Sequence, residues 1–296
     1  MKIIFSRLGA LTLIFATFLS CETNRKSNTP NEITYDIISV SEVYHLQNDS
    51  TKPSCTLEIS YTFPSAYANA EVLEKMQKEL NFLLMEGEKY EKLTPKDAID
   101  QYVKDYIENY KRDAVEQFPD WQETGSKDSY FSYFKALSSI ILFDQGGLIS
   151  YQVTSRDYKG GENYIPSDFE SDEVSRTDAV TTYRNIVIDL TNGSAIKEED
   201  IFQSEYKDIL NSLLIQEIIK HNKVKDTEDL IMMGYWGIED LTSNNNFLID
   251  DKGITYIFNP GEFSALKLGE IRVFLPYSDL VNILKDKSPI SNILNS

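Results

Sequence analysis

Residues that build metal centres and disulfide frameworks are scarce in this 296-residue chain. It contains two cysteines and two histidines, and its 29 basic residues are outnumbered by 47 acidic ones. A zinc enzyme is not expected, because zinc sites need several closely spaced Cys or His ligands, and His45 and His221 stand far apart. The net charge of −18 argues against nucleic acid as a partner. We therefore predict no metal site, no cofactor and no nucleic-acid partner.

Local signatures of the common catalytic classes are also missing. No Gly-x-Ser-x-Gly pentapeptide occurs, so the nucleophile elbow of many hydrolases is not predicted. No glycine-rich phosphate-binding loop occurs either, so a nucleotide cradle is not predicted. His45 alternates with the residues of a predicted strand, and His221 closes a predicted helix, where a charged imidazole would complement the helix dipole. We interpret both histidines as structural residues.

The longest apolar run lies near the start of the chain, at residues 8–19. It follows Lys2 and Arg7 and precedes Ser20 and Cys21. A charged start, an apolar middle too short to span a bilayer comfortably and a small residue before the cut are typical of an export signal, and the cysteine indicates a bacterial lipoprotein. We expect cleavage after residue 20 and acylation of Cys21, which would anchor the protein in the bacterial cell envelope, periplasmic or surface-exposed. In the alternative interpretation, Cys21 is an ordinary thiol near a conventional cleavage site.

The rest of the chain divides into a polar tether and two structured parts. Residues 21–32 lack apolar periodicity and are predicted to form a flexible tether. Residues 33–190 and 191–296 are interpreted as an N-terminal and a C-terminal α+β part that pack as one unit. With Cys21 acylated, Cys55 has no disulfide partner, and its place in an alternating segment predicts a buried thiol.

Hydrophobic periodicity predicts a mixture of strands and helices. Strands are predicted at residues 33–46, 55–63, 131–143, 148–158, 179–190, 246–249, 254–258 and 271–275. Helices are predicted between residues 64 and 93, from Thr94, at residues 203–221 and from Ser278. Gly146-Gly147 and Asn192-Gly193 predict tight turns. Because these elements follow no regular βαβ order, we predict an α+β fold with mainly antiparallel sheets packed by a few amphipathic helices.

Three helical stripes predict which helix faces are buried. They comprise Val72, Leu73, Met76, Leu80, Leu83 and Leu84 in the first helix, Ile99, Tyr102, Val103, Tyr106 and Tyr110 in the second, and Tyr206, Ile209, Leu210, Leu213, Leu214, Ile218 and Ile219 in the third. Tyrosines can stack on sugar rings, but at helical spacing core packing is the favoured interpretation, because tyrosine rings bury while their hydroxyls stay near water.

Carboxylates are the most abundant groups with catalytic potential. The densest cluster comprises Asp168, Glu170, Asp172 and Glu173, within a polar loop at residues 159–178. A glycosidase needs two carboxylates facing each other across a cleft at a set distance, which a flexible acidic run does not secure. The run also lacks the ligand spacing and central glycine of an EF-hand calcium loop. We interpret it as a solvated loop.

Several short motifs resemble those of one family of bacterial envelope domains. They are Tyr158-Lys159-Gly160-Gly161, Ile188-Asp189-Leu190-Thr191-Asn192-Gly193, Asp200-Ile201-Phe202, Asn246-Phe247, Lys252-Gly253-Ile254, Phe258-Asn259-Pro260, Gly269 and Pro276-Tyr277-Ser278-Asp279-Leu280. Together they are similar to the RsiV-like extracytoplasmic domain. Its members occur as lone lipoproteins, joined to polysaccharide deacetylase domains, and as the lysozyme-binding part of anti-sigma factors. The resemblance covers most of the chain after residue 33.

The resemblance implies an α+β recognition domain displayed in the envelope. The candidate binding residues that it implies are Tyr158, Gly160, Gly161, Asn259 and Tyr277. Scaffold roles come first, since Gly160-Gly161 permits a tight turn after a strand and Asn259-Pro260-Gly261 reverses the chain between strands. Glu162-Asn163 stands where the family usually has Ala-His-Gly, and Gly261 stands where a tyrosine usually follows Asn-Pro, so a ligand role of that histidine is not carried over. The chain shows no transmembrane helix and no cytoplasmic anti-sigma segment, so signalling through the membrane is not expected.

Charge and resemblance together favour a binding function. Removal of residues 1–20 would take away Lys2 and Arg7 and no acidic residue, so the net charge of −18 would become −20. Such a charge steers basic ligands toward the protein, although solubility is its commoner explanation. We expect a non-enzymatic, lipid-anchored protein that binds a lysozyme-like basic protein or a cell-wall glycan. The alternative is a hydrolase that cleaves envelope glycans with a carboxylate pair.

Overall fold

The first strands form where apolar and polar residues alternate. The computed structural model describes residues 30–117, 131–159 and 179–294. In these ranges, β1 (Thr34–His45) pairs antiparallel with β2 (Ser54–Ala66), and β3 (Tyr133–Gln145) pairs antiparallel with β4 (Leu148–Lys159). The predicted turn at Gly146-Gly147 is confirmed, since both glycines have positive φ angles of 63° and 81°.

The first sheet has six strands in the order β1-β2-β3-β4-β5-β6, completed by β5 (Val180–Asp189) and β6 (Ser194–Ala195). All neighbouring strands are antiparallel except β2 and β3, which pair in parallel. In the part of this connection that the structure describes, residues 67–117, three helices lie between β2 and β3, namely α1 (Ala70–Met85), α2 (Glu88–Glu91) and α3 (Pro95–Gln117). Such a crossover is what a parallel pair requires. The prediction of a mainly antiparallel α+β fold is confirmed.

The helices of the crossover cover one face of this sheet. In α1, Val72, Met76, Leu80 and Leu84 are buried, whereas the predicted core residues Leu73 and Leu83 are only half-buried at the edges of that face. α3 begins as predicted after Thr94, whose hydroxyl accepts a hydrogen bond from the backbone N–H of Asp97 at 3.2 Å. The tyrosine stripe of α3 packs into the core, with Ile99 and Tyr110 fully buried.

A second, three-stranded antiparallel sheet has the order β7-β8-β9. Its strands are β7 (Phe247–Ile249), β8 (Gly253–Phe258) and β9 (Ile271–Pro276). The helices of this half of the chain are α4 (Glu198–Ile201), α5 (Lys207–Asn222), α6 (Thr227–Met233), α7 (Tyr277–Leu280) and α8 (Ser291–Leu294). Leu210, Leu214 and Ile218 of α5 are buried against this sheet, as predicted.

Several sequence-based expectations about this half are wrong. The helix expected at residues 203–221 begins only at Lys207, because Phe202 forms a β-bridge with Leu284 and the Gln203 N–H donates to the Ile283 carbonyl at 2.8 Å. Ile209 was expected in the core but is half exposed, since it lies beside the stripe that faces the sheet. The short helices α4, α6 and α8 are not predicted, because two turns or fewer carry too little periodicity.

Within the ranges that the structure describes, no helix has the length and apolar character needed to cross a membrane.

Candidate functional site

The candidate residues from the sequence fall into two groups. Cys21, Gly160, Gly161 and the acidic cluster from Asp168 to Glu173 lie outside the described residues. Tyr158, Asn259 and Tyr277 are described. None of them lines the cleft between α5 and β9 or the one between α1 and β6. Tyr158 is a half-buried residue near the end of β4, opposite Phe134 of β3.

Asn259 holds the two sheets together. Its side-chain oxygen accepts a hydrogen bond from the Tyr183 backbone N–H at 2.6 Å, and its amide donates to the Tyr183 carbonyl at 3.1 Å. Asn246 acts in the same way on the next residues of β5, because its oxygen accepts from the Asn185 N–H at 2.8 Å and its amide donates to the Tyr183 carbonyl at 3.1 Å. These bonds satisfy β5 backbone groups that no strand pairs with. The structure thus gives Asn259 a scaffold role, and its binding role stays a prediction.

Tyr277 is likewise engaged inside the fold. Its hydroxyl donates to the Asp250 carbonyl at 2.8 Å, and burial raises its pKa above the ordinary value. This bond fixes the turn that leads into Gly253, where an added Cβ would lie 2.2 Å from the Leu275 carbonyl oxygen. Two of the resembling motifs, Lys252-Gly253-Ile254 and the one around Tyr277, therefore support one turn.

A cleft of the second half lies between α5 and β9, and we call it the α5–β9 cleft. It has a volume of about 410 Å³. Its lining combines apolar, aromatic, acidic and basic side chains, which are Glu217, Ile218, His221, Asn222, Tyr235, Leu268, Glu270, Ile271, Arg272, Val273 and Phe274. Pockets of this size and mixed lining are typical of ligand sites.

Helix and strand periodicity bring these side chains to the cleft. On α5, Glu217 and His221 are four residues apart and therefore share one helix face. On β9, Arg272 and Phe274 alternate with Val273 and Leu275, which are buried in the core. The cleft thus forms where the polar flank of an amphipathic helix meets the outward side of an edge strand.

Charges of both signs line the cleft. The Glu217 carboxylate accepts a hydrogen bond from Lys220 Nζ at 2.8 Å, and this bond raises the pKa of Lys220. Arg272 Nε lies 3.7 Å from the Glu270 carboxylate, and the Arg272 guanidinium lies 5.0 Å from the centre of the Tyr183 ring. The hydroxyl of Tyr235 donates to the side-chain oxygen of Asn222 at 3.2 Å, which fixes the aromatic wall.

Large apolar side chains are exposed on the segments that carry Tyr235 and Leu268 of the cleft. These residues, which we call the apolar rim, are Met232, Met233, Trp236 and Leu266. The two segments are joined by hydrogen bonds from the Ala265 N–H to the Gly234 carbonyl at 2.8 Å and from the Gly237 N–H to the Phe263 carbonyl at 2.9 Å. Trp236 is 71% exposed and Met232 is 79% exposed, which is unusual for side chains of this size.

A smaller cleft of about 190 Å³ lies between α1 and β6. It contains Glu79, whose pKa is raised above the ordinary value by burial and then by the charge of Glu91. Its remaining lining is Lys75, Lys78, Phe82 and Ser194. Among the described residues, no group of three or more His, Cys, Asp or Glu side chains is placed to hold a metal ion.

One buried carboxylate was missed by reasoning from the sequence. Glu198 is fully buried, and its side chain accepts hydrogen bonds from the hydroxyls of Tyr206 and Ser243 at 2.9 and 2.7 Å and from the Asn245 N–H at 3.1 Å. It does not line either cleft. Its sequence context, an acidic run at a helix start, is the usual signal of an exposed first turn, so nothing in the sequence distinguished it.

Comparisons with known proteins find one family of unknown function and solved structures of similar fold. A family profile described as "Protein of unknown function (DUF3298)" matches residues 199–278, which include every residue that lines the α5–β9 cleft. A crystal structure of a DUF3298 family member from Bacteroides fragilis NCTC 9343 is 24% identical and covers 91% of this chain and 100% of its own, with a TM-score of 0.80. A DUF3298 family protein from Pseudomonas aeruginosa PAO1 is 10% identical, covers 90% of this chain and 97% of its own, and has a TM-score of 0.59. At these identities the likeness shows a shared fold. A search of curated proteins finds no match.

Proposed function

We propose that this chain is a non-enzymatic, lipid-anchored binding protein of the bacterial cell envelope, and that the α5–β9 cleft and the apolar rim form its binding face. The apolar rim carries this proposal, because exposed tryptophan and methionine, here on the segments that supply Tyr235 and Leu268 to the cleft, are typical of surfaces that bind a partner. Methionine also adapts its shape to a partner surface.

The partner that we propose is a basic protein of the lysozyme type. The net charge of −18 supports this choice, because a strongly acidic surface steers basic proteins toward itself. The motif resemblance to the RsiV-like domain supports it as well, since several of these motifs fall within residues 199–278. A cell-wall glycan is the second ligand to test.

A binding assay tests the proposal. Full-length protein in detergent is titrated with a panel of lysozymes and with peptidoglycan, at low and at physiological salt. We expect lysozyme binding that weakens with salt, and we expect Trp236→Ser to lower its affinity about tenfold or more. Ile37→Ser is the matched control, because Ile37 is also exposed but lies on β1 of the first sheet. Equal affinity of Trp236→Ser and the wild type, or no binding to any member of the panel, would contradict the proposal.

A carboxylate-dependent hydrolase is the competing function, and one observation favours it. Glu217 and Glu270 line the same cleft, as a glycosidase pair would. Each of them already has a cationic neighbour within the fold, Lys220 and Arg272 respectively. Turnover of muropeptides that is lost in both Glu217→Gln and Glu270→Gln would establish the hydrolase and refute the non-enzymatic proposal.

A further inference from the structure

The α5–β9 cleft is too small to hold more than a short portion of a protein partner. Its volume of about 410 Å³ is near the lower end of the range found for ligand pockets. A protein bound on the apolar rim would therefore place a single side chain, or a few atoms of backbone, inside the cleft. The chemistry of the lining decides which side chain fits.

The acidic groups of the cleft are open to exchange of their partners. Lys220 is paired with Glu217 across one helical turn, and its side chain is 76% exposed, so the pair is held weakly. The contact between Arg272 and Glu270 is long, at 3.7 Å, and the guanidinium of Arg272 faces the Tyr183 ring as well. A cationic side chain of a partner can therefore compete with Lys220 for Glu217 and with Arg272 for Glu270.

The apolar and aromatic part of the lining suits the stem of a long cationic side chain. Lysine and arginine bury their methylene groups along apolar surface and keep the charged end among polar groups. Ile218, Leu268 and Phe274 supply that apolar surface, and Phe274 and Tyr235 add two aromatic rings to the lining, the kind of side chain that attracts a cation. The chain itself uses such contacts, since Lys111 lies over Tyr44 with 4.8 Å between its ammonium nitrogen and the ring centre.

We infer that the α5–β9 cleft is the anchor site for one lysine or arginine side chain of a basic protein partner, with Glu217 and Glu270 as the counter-charges. This inference rests on the proposed function and names the chemistry that its binding face recognises. A neutral sugar is the competing occupant, because aromatic and carboxylate side chains also line sugar sites. Its binding would not depend on the charge of the two glutamates.

The test compares charge removal inside the cleft with the same removal elsewhere. Full-length protein and the double variant Glu217→Gln/Glu270→Gln are titrated with lysozyme and with Nα-acetylarginine amide, a small probe of the cationic side chain. The matched control is Glu42→Gln/Glu58→Gln, which removes two exposed carboxylates from the first sheet and gives the same net charge. Thermal unfolding verifies that each variant is folded.

We expect the cleft variant to bind lysozyme about tenfold more weakly and to lose the response to the arginine probe, while the control stays close to the wild type. An equal loss in both variants would overturn the inference, since it would reduce the effect to net charge. Binding of a neutral chito-oligosaccharide in the cleft that survives the double substitution would overturn it too.

The outcomes also separate the inference from the proposed function. If Trp236→Ser weakens lysozyme binding and the cleft variant does not, the anchor is wrong and the binding function stands. If the wild type binds no lysozyme but binds the arginine probe through the two glutamates, the proposed partner is wrong and the cation site stands. Failure of the probe to bind the wild type refutes the anchor in every case.

Discussion

Glu198 is a carboxylate that the protein holds away from water at the junction of α4, α5 and the segment before β7. Three donors surround it, from Tyr206, Ser243 and Asn245, and the Glu198 N–H donates in turn to the Asn245 side chain at 3.2 Å. Asn245 has a positive φ of 55°, a conformation that asparagine tolerates better than most residues. The carboxylate therefore fixes a loop that the backbone alone would not hold.

Removal of this carboxylate should destabilise the protein strongly. We expect Glu198→Ala to lower the free energy of unfolding by roughly 2–4 kcal/mol, because three buried donors would lose their acceptor. Glu198→Gln should cost less, since its oxygen can still accept from the Asn245 N–H while the two hydroxyls rotate to accept from its amide. Urea unfolding measures both. A Glu198→Ala variant as stable as Glu199→Ala, an exposed neighbour, would contradict this role.

Cys55 is buried, and burial raises the pKa of its thiol to about 12. At about pH 8 the thiolate fraction in the folded protein is then about a thousandfold smaller than for a thiol with the ordinary value. We expect no reaction with a thiol reagent in the native state and rapid reaction in urea. A Ser41→Cys variant, at an exposed position of β1, is the positive control. Native Cys55 reacting as fast as that control would refute the buried state.

The same shift has a consequence for stability. Because the folded-state pKa of Cys55 is higher than the unfolded-state value, its contribution is complete below the ordinary thiol pKa and is lost as the pH rises toward 12.

At the scale of elements, a side chain of strand β5 caps the C-terminal end of helix α1. α1 has no basic residue in its last turn, and Glu86, which follows it, has a left-handed φ of 54°. Arg184 of β5 supplies the missing donors, since its Nε and Nη2 groups donate to the carbonyls of Leu83 and Leu84, each at 3.0 Å. Its remaining nitrogen pairs with the Glu86 carboxylate. These bonds satisfy helix carbonyls that would otherwise have no partner.

Loss of this contact should weaken the attachment of α1 to the sheet. We expect Arg184→Met to lower the free energy of unfolding by about 1–3 kcal/mol, because hydrogen bonds from a charged donor are lost. Arg184→Lys should recover only part of it, since an ammonium cannot reach two carbonyls with the fixed fork of a guanidinium. Arg112→Met on the exposed side of α3 is the control and should change stability little. The idea fails if the two methionine variants unfold at the same urea concentration.

Most elements could be predicted from the sequence, but the parallel pairing of β2 with β3 could not. Alternation placed β1, β2, β4 and β5 within a few residues, because side chains on opposite sheet faces meet different surroundings. The parallel contact of β2 with β3 depends on how three helices cross between them, which no local pattern records. Likewise, Asn192-Gly193 indicated a turn, but the close approach of Gly193 to the Val72 carbonyl, 2.8 Å from an added Cβ, arises only from packing.

At the scale of the whole molecule, the two sheets are joined by polar side chains and not only by a core. Ser150 of β4 lies at this junction, where its hydroxyl accepts from the Ile249 N–H at 2.9 Å and donates to the Ile249 carbonyl. Asn246 and Asn259 add their bonds to β5. The boundary between residues 190 and 191 stays a prediction, because the core that contains α5 also includes Leu148 and Val187 of the first sheet.

The proposed lipid anchor at Cys21 is also tested on the whole molecule. We expect Cys21→Ala to move the protein from the membrane fraction to the soluble fraction, because the acylated residue would be lost. Cys55→Ala is the control and should leave the distribution unchanged, since Cys55 is buried in the fold. Persistence of the Cys21→Ala protein in the membrane fraction would refute the lipid anchor.

The sequence by itself determined the α+β class, most of the strand and helix segments, the larger part of the buried helix stripes and the acidic charge. These properties depend on composition and on local periodicity, which involve only residues close together in the sequence. The tertiary structure alone decided where the candidate site lies, because Glu217 and Glu270 line one cleft only when α5 packs against β9. It also decided which backbone groups across the fold the side chains of Asn259 and Tyr277 bind. Contacts between residues far apart in the chain have no local signature, and the scarcity of cysteine and histidine left no motif to substitute for one.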